Sequence, residues 1–168
     1  MARACVEKND IGSERLPLPA LTLIITAYNE ESRIQAKIEN SLQIEYDGEL
    51  EIIIASDCSD DETDSIVERY SSQGIRLVQA GQRLGKENAQ RCAIEKAYGD
   101  IFVFSDVATE IPSNALSKLA VYFEDVKIGA VSSEDRFLSR DGITAGEGVY
   151  VKYEMWLRRK ESALAGLV

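Results

Sequence analysis

Three acidic and two basic residues stand where the predicted strands of this chain end. Asp57 and Asp106 directly follow two predicted strands, and Glu30 comes shortly after a third. Arg83 and Lys86 lie in a loop that leads into a predicted helix. Ligands bind at the carboxyl ends of the strands in an open α/β sheet. With right-handed crossovers, these five side chains line one crevice.

Helix capping is the alternative role for each of these acids, because Asp and Glu also stabilise turns and helix starts. For Glu30 both roles stay open. For Asp57 the capping role is less favoured, because Ser59 and Glu62 have the spacing of a capping box and Ser59 would supply the capping side chain.

The segment after the first strand indicates how a phosphate group would be held. Residues 26–30 contain no glycine, so the turn that brings a backbone against a dinucleotide pyrophosphate is missing. A Walker-type loop is also missing from the sequence. Phosphate would therefore be held by cationic side chains and by a metal ion at Asp106. Asp57 would accept a hydrogen bond from a base, and Tyr28 would stack on that base.

The composition excludes several classes of function. The chain has 168 residues, no histidine and a net charge of −10. Without histidine, Ser-His-Asp catalysis, Cys-His catalysis and His-ligated metal sites are excluded. The negative charge argues against nucleic acid as a partner. Three widely spaced cysteines form no disulfide or metal pattern, which favours the cytoplasm, and no apolar run is long enough to span a membrane.

Alternating strands and helices predict the scaffold that positions these residues. We expect an α/β fold with a mostly parallel, doubly wound sheet. The predicted strands cover residues 21–26, 51–56, 75–78, 101–105 and 129–133. The fourth is expected to be central and buried on both faces, because its apolar run is unbroken. Helices follow, with inward stripes at Ile34, Ile38 and Leu42 in the first and at Ala89, Cys92, Ala93 and Ala97 in the third.

Four segments resemble motifs of the inverting family 2 glycosyltransferases with the GT-A fold. They are, in chain order, the first-strand segment 23–31, the second-strand segment 53–63, the lysine loop 83–86 with Ala89, and the Asp-X-Asp segment 104–109. The resemblance covers essentially residues 21–168.

The resemblance implies a nucleotide-sugar donor, most often a UDP-sugar. It implies inverting transfer of the sugar to a carbohydrate or lipid-linked acceptor hydroxyl, in polysaccharide or glycoconjugate synthesis. Seven residues are implied at the donor: Ala27, Tyr28 and Glu30 beside the nucleoside, Asp57 at the uracil edge, Arg83 and Lys86 near the base or diphosphate, and Asp106 facing Mg²⁺ or Mn²⁺.

Several positions depart from the family pattern. Thr26 stands where Pro is usual, Ser56 where a first Asp is usual, and Cys58 where Gly is usual. Ala108 occupies the second Asp of the Asp-X-Asp segment, so one ligand carboxylate is missing. Metal affinity is expected to be weak unless Thr109 or Glu110 compensates.

We expect residues 21–168 to be the donor-binding part of a longer enzyme, preceded by an arm at 1–20. In the family the catalytic base comes later, and Asp135 is the one candidate base in this chain, although a solvated loop position is favoured for it. An apolar helical tail at 147–167 is expected to promote self-association. The parent protein is expected at the cytoplasmic face of a membrane.

Three other functions stay open. A nucleotidyltransferase would want a glycine-rich basic loop after the first strand, where this chain has Tyr28-Asn29-Glu30. A phosphoacceptor signalling domain would want paired acids after that strand and a lysine after the last. A nucleotide-binding module without turnover is consistent with Ala108 and with an incomplete enzyme.

Overall fold

The computed structural model describes residues 18–133 of the chain. Four parallel strands form one sheet in the spatial order β3-β2-β1-β4. The strands are β1 (Leu21–Ala27), β2 (Leu50–Ser56), β3 (Ile75–Gln79) and β4 (Ile101–Asp106). The helices are α1 (Ile34–Ser41), α2 (Thr63–Glu68), α3 (Lys86–Ile94) and α4 (Ala115–Ala120), with 3₁₀ turns at Ser71–Gln73 and Val121–Glu124.

The described residues form two compact units. One contains residues 18–38 and Asp47–Thr109, and therefore the whole sheet. The other contains Glu39–Tyr46 and residues 110–133, and therefore α4. In the second unit, Asn40 exchanges two hydrogen bonds of 2.9 Å with the backbone of Ile111, and Leu116 and Ala120 are buried.

Helices cover both faces of the sheet, which confirms the doubly wound architecture. Successive strand residues point to opposite faces. One face carries Ile24, Ile53 and Val78, and α3 packs on it through Ala89 and Ala93, the predicted stripe of small residues. Helix α1 packs on the other face, where Lys37 reaches Ser105 at the end of β4.

Within residues 18–133, β4 is an edge strand and not the central, doubly buried strand that was predicted. The two interior strands are β1, which pairs with β2 and β4, and β2, which pairs with β1 and β3, and the residues of β1 from Leu21 to Ile25 are buried. β4 has no further strand beside it within residues 18–133. Phe102 is therefore 37% exposed and Phe104 49% exposed. An unbroken apolar run identifies a strand but not its place in the sheet.

Three other local predictions were also wrong. Residues 129–133 form no strand. Leu42 lies beyond the end of α1 and is exposed, so the inward stripe of that helix stops at Ile38. The capping box does not form, because Glu62 is the N-cap of α2 and makes no side-chain cap, while Ser59 accepts the backbone N–H of Asn29. Residues 134–168, including the predicted tail, lie outside the described range.

A buried carboxylate at the amino-terminal end of the sheet fixes where β4 begins. Glu51 accepts hydrogen bonds from the Thr22 hydroxyl (2.7 Å) and the Tyr98 backbone N–H (3.1 Å), and it pairs with Arg76. The N–H of Gly99 donates to the Thr22 hydroxyl at 3.0 Å. A Cβ at Gly99 would lie 2.6 Å from the Thr22 backbone nitrogen, so only glycine fits there. The loop before β4 is thereby held against β1 and β2.

Replacing Glu51 by Ala should destabilise the fold strongly. The Thr22 hydroxyl and the Tyr98 N–H would lose their buried acceptor, at a cost of about 3 kcal/mol in the free energy of unfolding. Glu49→Ala is the matched control, because the Glu49 side chain is exposed and its loss should cost less than about 0.5 kcal/mol. Urea titrations followed by circular dichroism measure both. Equal losses in the two variants would contradict the role assigned to Glu51.

Candidate functional site

The segments that follow β1 and β2 are hydrogen-bonded to each other, residue by residue. The Asp57 N–H donates to the Ala27 carbonyl at 3.0 Å. Asn29 donates through its side-chain amide to the Asp60 carboxylate at 2.5 Å and accepts the Asp60 N–H at 3.0 Å. Asn29 has a φ of 51°, in the left-handed region that Asn tolerates better than most residues. Sequence reasoning assigned Asn29 no role, although its tolerance of that conformation was a usable signal.

The backbone of Glu30 forms hydrogen bonds in the turn that leads into α1. Its N–H donates to the Thr63 hydroxyl at 2.8 Å, and its carbonyl accepts the N–H groups of Arg33 and Ile34. Its carboxylate makes no hydrogen bond or ion pair within the described part of the chain. The Glu30 side chain therefore makes no helix cap in this range, and its place beside a nucleoside stays a prediction.

Asp61 connects the same two segments. Its carboxylate accepts the N–H of Glu31 at 3.1 Å and that of Thr63 at 2.9 Å. Desolvation alone would raise the pKa of Asp61, but the hydrogen bonds from Thr63 and Glu31 outweigh it and the pKa is lowered. Asp61 thus remains charged and keeps both contacts at neutral pH.

Asp57 holds the loop that precedes α3. Its carboxylate is 5% exposed and accepts the backbone N–H of Leu84 at 3.2 Å and that of Gly85 at 3.0 Å. Gly85 has a φ of 95°, which favours glycine at this position. Asp57 is thus part of the site, and its predicted contact with a uracil edge would use the remaining lone pairs of the carboxylate.

The loop held by Asp57 places Arg83 over the ring of Tyr28. The guanidinium carbon lies 3.9 Å from the ring centroid, which is a cation–π contact. Arg83 is exposed and Tyr28 is half-buried. The ring face that was predicted to stack on a base is therefore covered by a side chain that can move away.

Lys86 and Asp106 form an ion pair at the carboxyl end of the sheet. Lys86 is the first residue of α3 and Asp106 is the last residue of β4. Their side chains are 54% and 59% exposed. An exposed pair contributes less than about 1 kcal/mol to stability, so either partner can exchange it for a ligand.

Lys37 is a site residue that the sequence reasoning missed. It is 3% exposed on α1, and its ammonium donates to the Ser105 hydroxyl at 2.9 Å and the Thr109 carbonyl at 2.5 Å. Burial lowers the pKa of Lys37 from 10.5 to about 8, although the charge of Asp106 acts in the opposite direction. Its position three residues after Ile34, on the inward side of the helix, was the available signal.

The comparisons with known proteins identify the family. Residues 22–160 match the model of the family described as Glycosyl transferase family 2. The chain belongs to glycosyl transferase family 2. This confirms the resemblance that the four motifs carried.

Two relatives illustrate the range of this family. A beta-monoglucosyldiacylglycerol synthase of Trichormus variabilis is 25% identical over 157 residues, which cover 89% of this chain and 34% of that protein. An Escherichia coli enzyme is named UDP-Glc:alpha-D-GlcNAc-diphosphoundecaprenol beta-1,3-glucosyltransferase WfaP. It is 27% identical over 126 residues, which cover 75% of this chain and 49% of that enzyme. The chain spans about a third of the synthase's length.

A solved structure supports the fold. The mannosyltransferase PcManGT from Pyrobaculum calidifontis, in complex with GDP-Man and Mn²⁺, matches with a TM-score of 0.66 and 31% identity. The match covers 70% of this chain and 36% of that one. The parallel sheet is that of a GT-A glycosyltransferase, as the motifs predicted.

Two departures from the family 2 pattern have structural consequences. Cys58, at the position where Gly is usual, has a φ of 57° in the left-handed region, and its thiol donates to the Ala80 carbonyl at 3.2 Å. Thr26, at the position where Pro is usual, lies beside Asp106 in the register of β1 and β4. The Thr26 hydroxyl is buried and has no hydrogen-bond partner among residues 18–133.

A metal ion is the remaining expectation at this site. Residues 18–133 contain no cluster of three or more acidic or cysteine side chains able to hold one. Asp106 is paired with Lys86, Ala108 offers no ligand atom in its side chain, and the Thr109 carbonyl accepts from Lys37. Asp106 is therefore the one carboxylate that this segment offers to a divalent cation, and because it already faces an ammonium group, these residues fit a metal ion poorly. Asp135, the candidate base, lies outside the described range.

Thr26→Val should raise the free energy of unfolding by about 1 kcal/mol, because it removes a buried hydroxyl without a partner. Thr22→Val is the matched control on the same strand and face. It should lose about 1–3 kcal/mol, because the Thr22 hydroxyl donates to Glu51 and accepts from Gly99. Thermal and urea unfolding compare the two. A loss of stability in both variants would contradict the assignment for Thr26.

The buried Lys37 should make stability depend on pH between about 8 and 10.5. In this window the unfolded chain holds the Lys37 proton and the folded chain releases it, so stability rises with pH. The slope is at most about 1.4 kcal/mol per pH unit. Urea unfolding from pH 7 to 10.5, measured for the wild type and for Lys37→Met, isolates this contribution. The prediction is wrong if the free energy of unfolding of the wild type minus that of Lys37→Met stays constant or falls as the pH rises.

Proposed function

We propose that this chain binds the nucleoside diphosphate of a UDP-sugar and serves the inverting transfer of that sugar to a carbohydrate or lipid-linked hydroxyl. The observation that carries the proposal is the loop held by Asp57. That loop places Arg83 over Tyr28 at one end and Lys86 beside Asp106 at the other. An aromatic surface for a base and a cation for a diphosphate thus lie within one compact unit.

The reaction class determines which charges the site must stabilise. The acceptor oxygen forms a bond to the anomeric carbon while the bond from that carbon to the diphosphate breaks. The departing diphosphate gains negative charge, and a fixed cation lowers the energy of that state. Lys86 is the exposed cation placed to do so. The acceptor proton passes to a general base, for which Asp135 is the one candidate in this chain, although a solvated loop position is the favoured role of that residue.

The relatives support the donor and acceptor classes. The name of WfaP contains a UDP-glucose donor and a lipid-linked diphosphate acceptor. The name of the synthase contains a glycosylated diacylglycerol. PcManGT was solved with GDP-Man, a guanine nucleotide-sugar, so the experiment below compares nucleotides that differ in the base. Synthesis of a polysaccharide or glycoconjugate follows from these classes.

The wider setting is proposed on the same basis. We place residues 21–168 as the donor-binding part of a longer enzyme in the cytoplasm, with self-association through residues 147–167. We expect the parent protein to be attached to the membrane. Within residues 18–133, no helix has the length and apolar character needed to cross a membrane.

Calorimetric titration with UDP, GDP and dTDP tests the proposal. UDP should bind most tightly, and Asp57→Ala should weaken it at least tenfold, because the loop that carries Arg83 and Lys86 loses its acceptor. Asp47→Ala is the matched control, since Asp47 is an exposed acid before the amino-terminal end of β2, and it should bind UDP as the wild type does. If none of the three nucleotides binds, the proposed function is wrong.

A further inference from the structure

We infer that this site neutralises the donor diphosphate with lysine ammonium groups in place of a divalent cation, so that nucleotide binding does not require a metal. The inference rests on the proposed function, because it concerns the same diphosphate. It assigns Asp106 a different task from the metal-ligand role that the family pattern implies. Asp106 becomes the residue that positions Lys86.

Few carboxylates are available at the strand ends to bind a metal ion. Ala108 leaves Asp106 as the one acid within residues 104–109. Asp57, the other acid at these strand ends with an observed role, is buried and accepts backbone N–H groups of the α3 loop. A divalent cation at a nucleotide is held by one or two carboxylates together with phosphate oxygens, so Asp106 alone supplies the minimum and no second carboxylate of this segment supports it.

Two ammonium groups already lie around Asp106 and the turn that follows it. Lys86 contacts its carboxylate directly. Lys37 lies beneath the turn that follows, with its ammonium on Ser105 and on the Thr109 carbonyl. A divalent cation at Asp106 would meet the repulsion of these two ammonium groups, which is larger near a protein interior than in water. The Thr109 carbonyl is an oxygen near the missing ligand, and it already accepts a hydrogen bond from the Lys37 ammonium group.

An ammonium group can donate hydrogen bonds to more than one partner at once. Lysine has three donor hydrogens, so Lys86 can keep its contact with Asp106 and donate to a phosphate oxygen at the same time. The Lys86 side chain is 54% exposed, and little stability is lost if it moves. Its position as the first residue of α3 brings it next to the helix N-terminus, which also favours an anion.

The experiment measures UDP affinity by calorimetry for the full 168-residue chain, once in EDTA and once in Mn²⁺. The wild type should bind UDP with equal affinity, within about twofold, in both conditions. Lys86→Gln should weaken binding at least tenfold in both, and Lys86→Arg, which keeps the charge, should recover part of the loss. Circular dichroism confirms that the variants fold.

A second pair of variants tests whether the missing carboxylate is the cause. Ala108→Asp restores the Asp-X-Asp pattern and should make UDP binding at least fivefold tighter in Mn²⁺ than in EDTA. Ala108→Asn has the same size without the charge and should show no such difference. Electron paramagnetic resonance of free Mn²⁺ gives an independent measure of metal binding by each variant in the presence of UDP.

The outcomes separate the two proposals. UDP binding by the wild type that needs Mn²⁺, or that is unchanged in Lys86→Gln, overturns the inference and leaves the proposed function standing. A failure of Ala108→Asp to bind Mn²⁺ more tightly than Ala108→Asn also overturns it. Absence of UDP binding in every condition overturns the proposed function and the inference together.

Discussion

The hydrogen bonds from the α3 loop to the Asp57 carboxylate determine the arrangement of the candidate site. A buried carboxylate is stable only when its oxygens are satisfied, and here the N–H groups of Leu84 and Gly85 satisfy them. The same contact brings the amino-terminal end of α3 to the end of β2. Arg83 and Lys86 lie on either side of the bound N–H groups, so their distance from the strand ends is set by Asp57.

The opposite end of the sheet is held by a second buried carboxylate. Glu51 binds the loop before β4 through Tyr98, while Gly99 approaches the β1 backbone too closely for any side chain. These contacts fix the register of β4 against β1, and Asp106 is the last residue of that register. The place of Asp106 next to Lys86 thus depends on groups at the far end of the strand. Because β1 and β4 are parallel and paired from Leu21 and Ile101 onwards, a shift at the start of β4 would move Asp106 by the same amount.

The sequence predicted those parts of the molecule that depend on local pattern. The strands β1, β2 and β3 and the stripe of Ala89 and Ala93 follow from apolar periodicity, and the structure confirms them. The order of strands was beyond reach, because an edge strand and a central strand can have the same apolar run. Lys37 was missed because a lysine inside an amphipathic pattern is ordinarily read as solvated, and only the tertiary structure shows its ammonium on a carbonyl.

The site residues were predicted by type and by strand end, but their partners were not. The capping role of Ser59 failed because the N–H of Asn29, from another loop, binds that hydroxyl. Asp57 was predicted to face a ligand, and its bonds to the α3 loop were not predicted, since hydrogen bonds between distant segments leave no local signal. Ser59 and Asp57 both bind residues that are distant in the sequence, so the local sequence pattern did not show their partners.

The charge that an anion would meet at the candidate site is set by the nearby side chains and differs from the net charge of the chain. The chain carries a net charge of −10, which would repel an anion at long range. At physiological ionic strength this repulsion is screened beyond about 8 Å. An anion near Asp106 meets the ammonium group of Lys86, and that of Lys37 lies behind the turn, although the whole chain is acidic. A strongly acidic enzyme can therefore bind a diphosphate, provided that its few cations are placed by buried carboxylates such as Asp57.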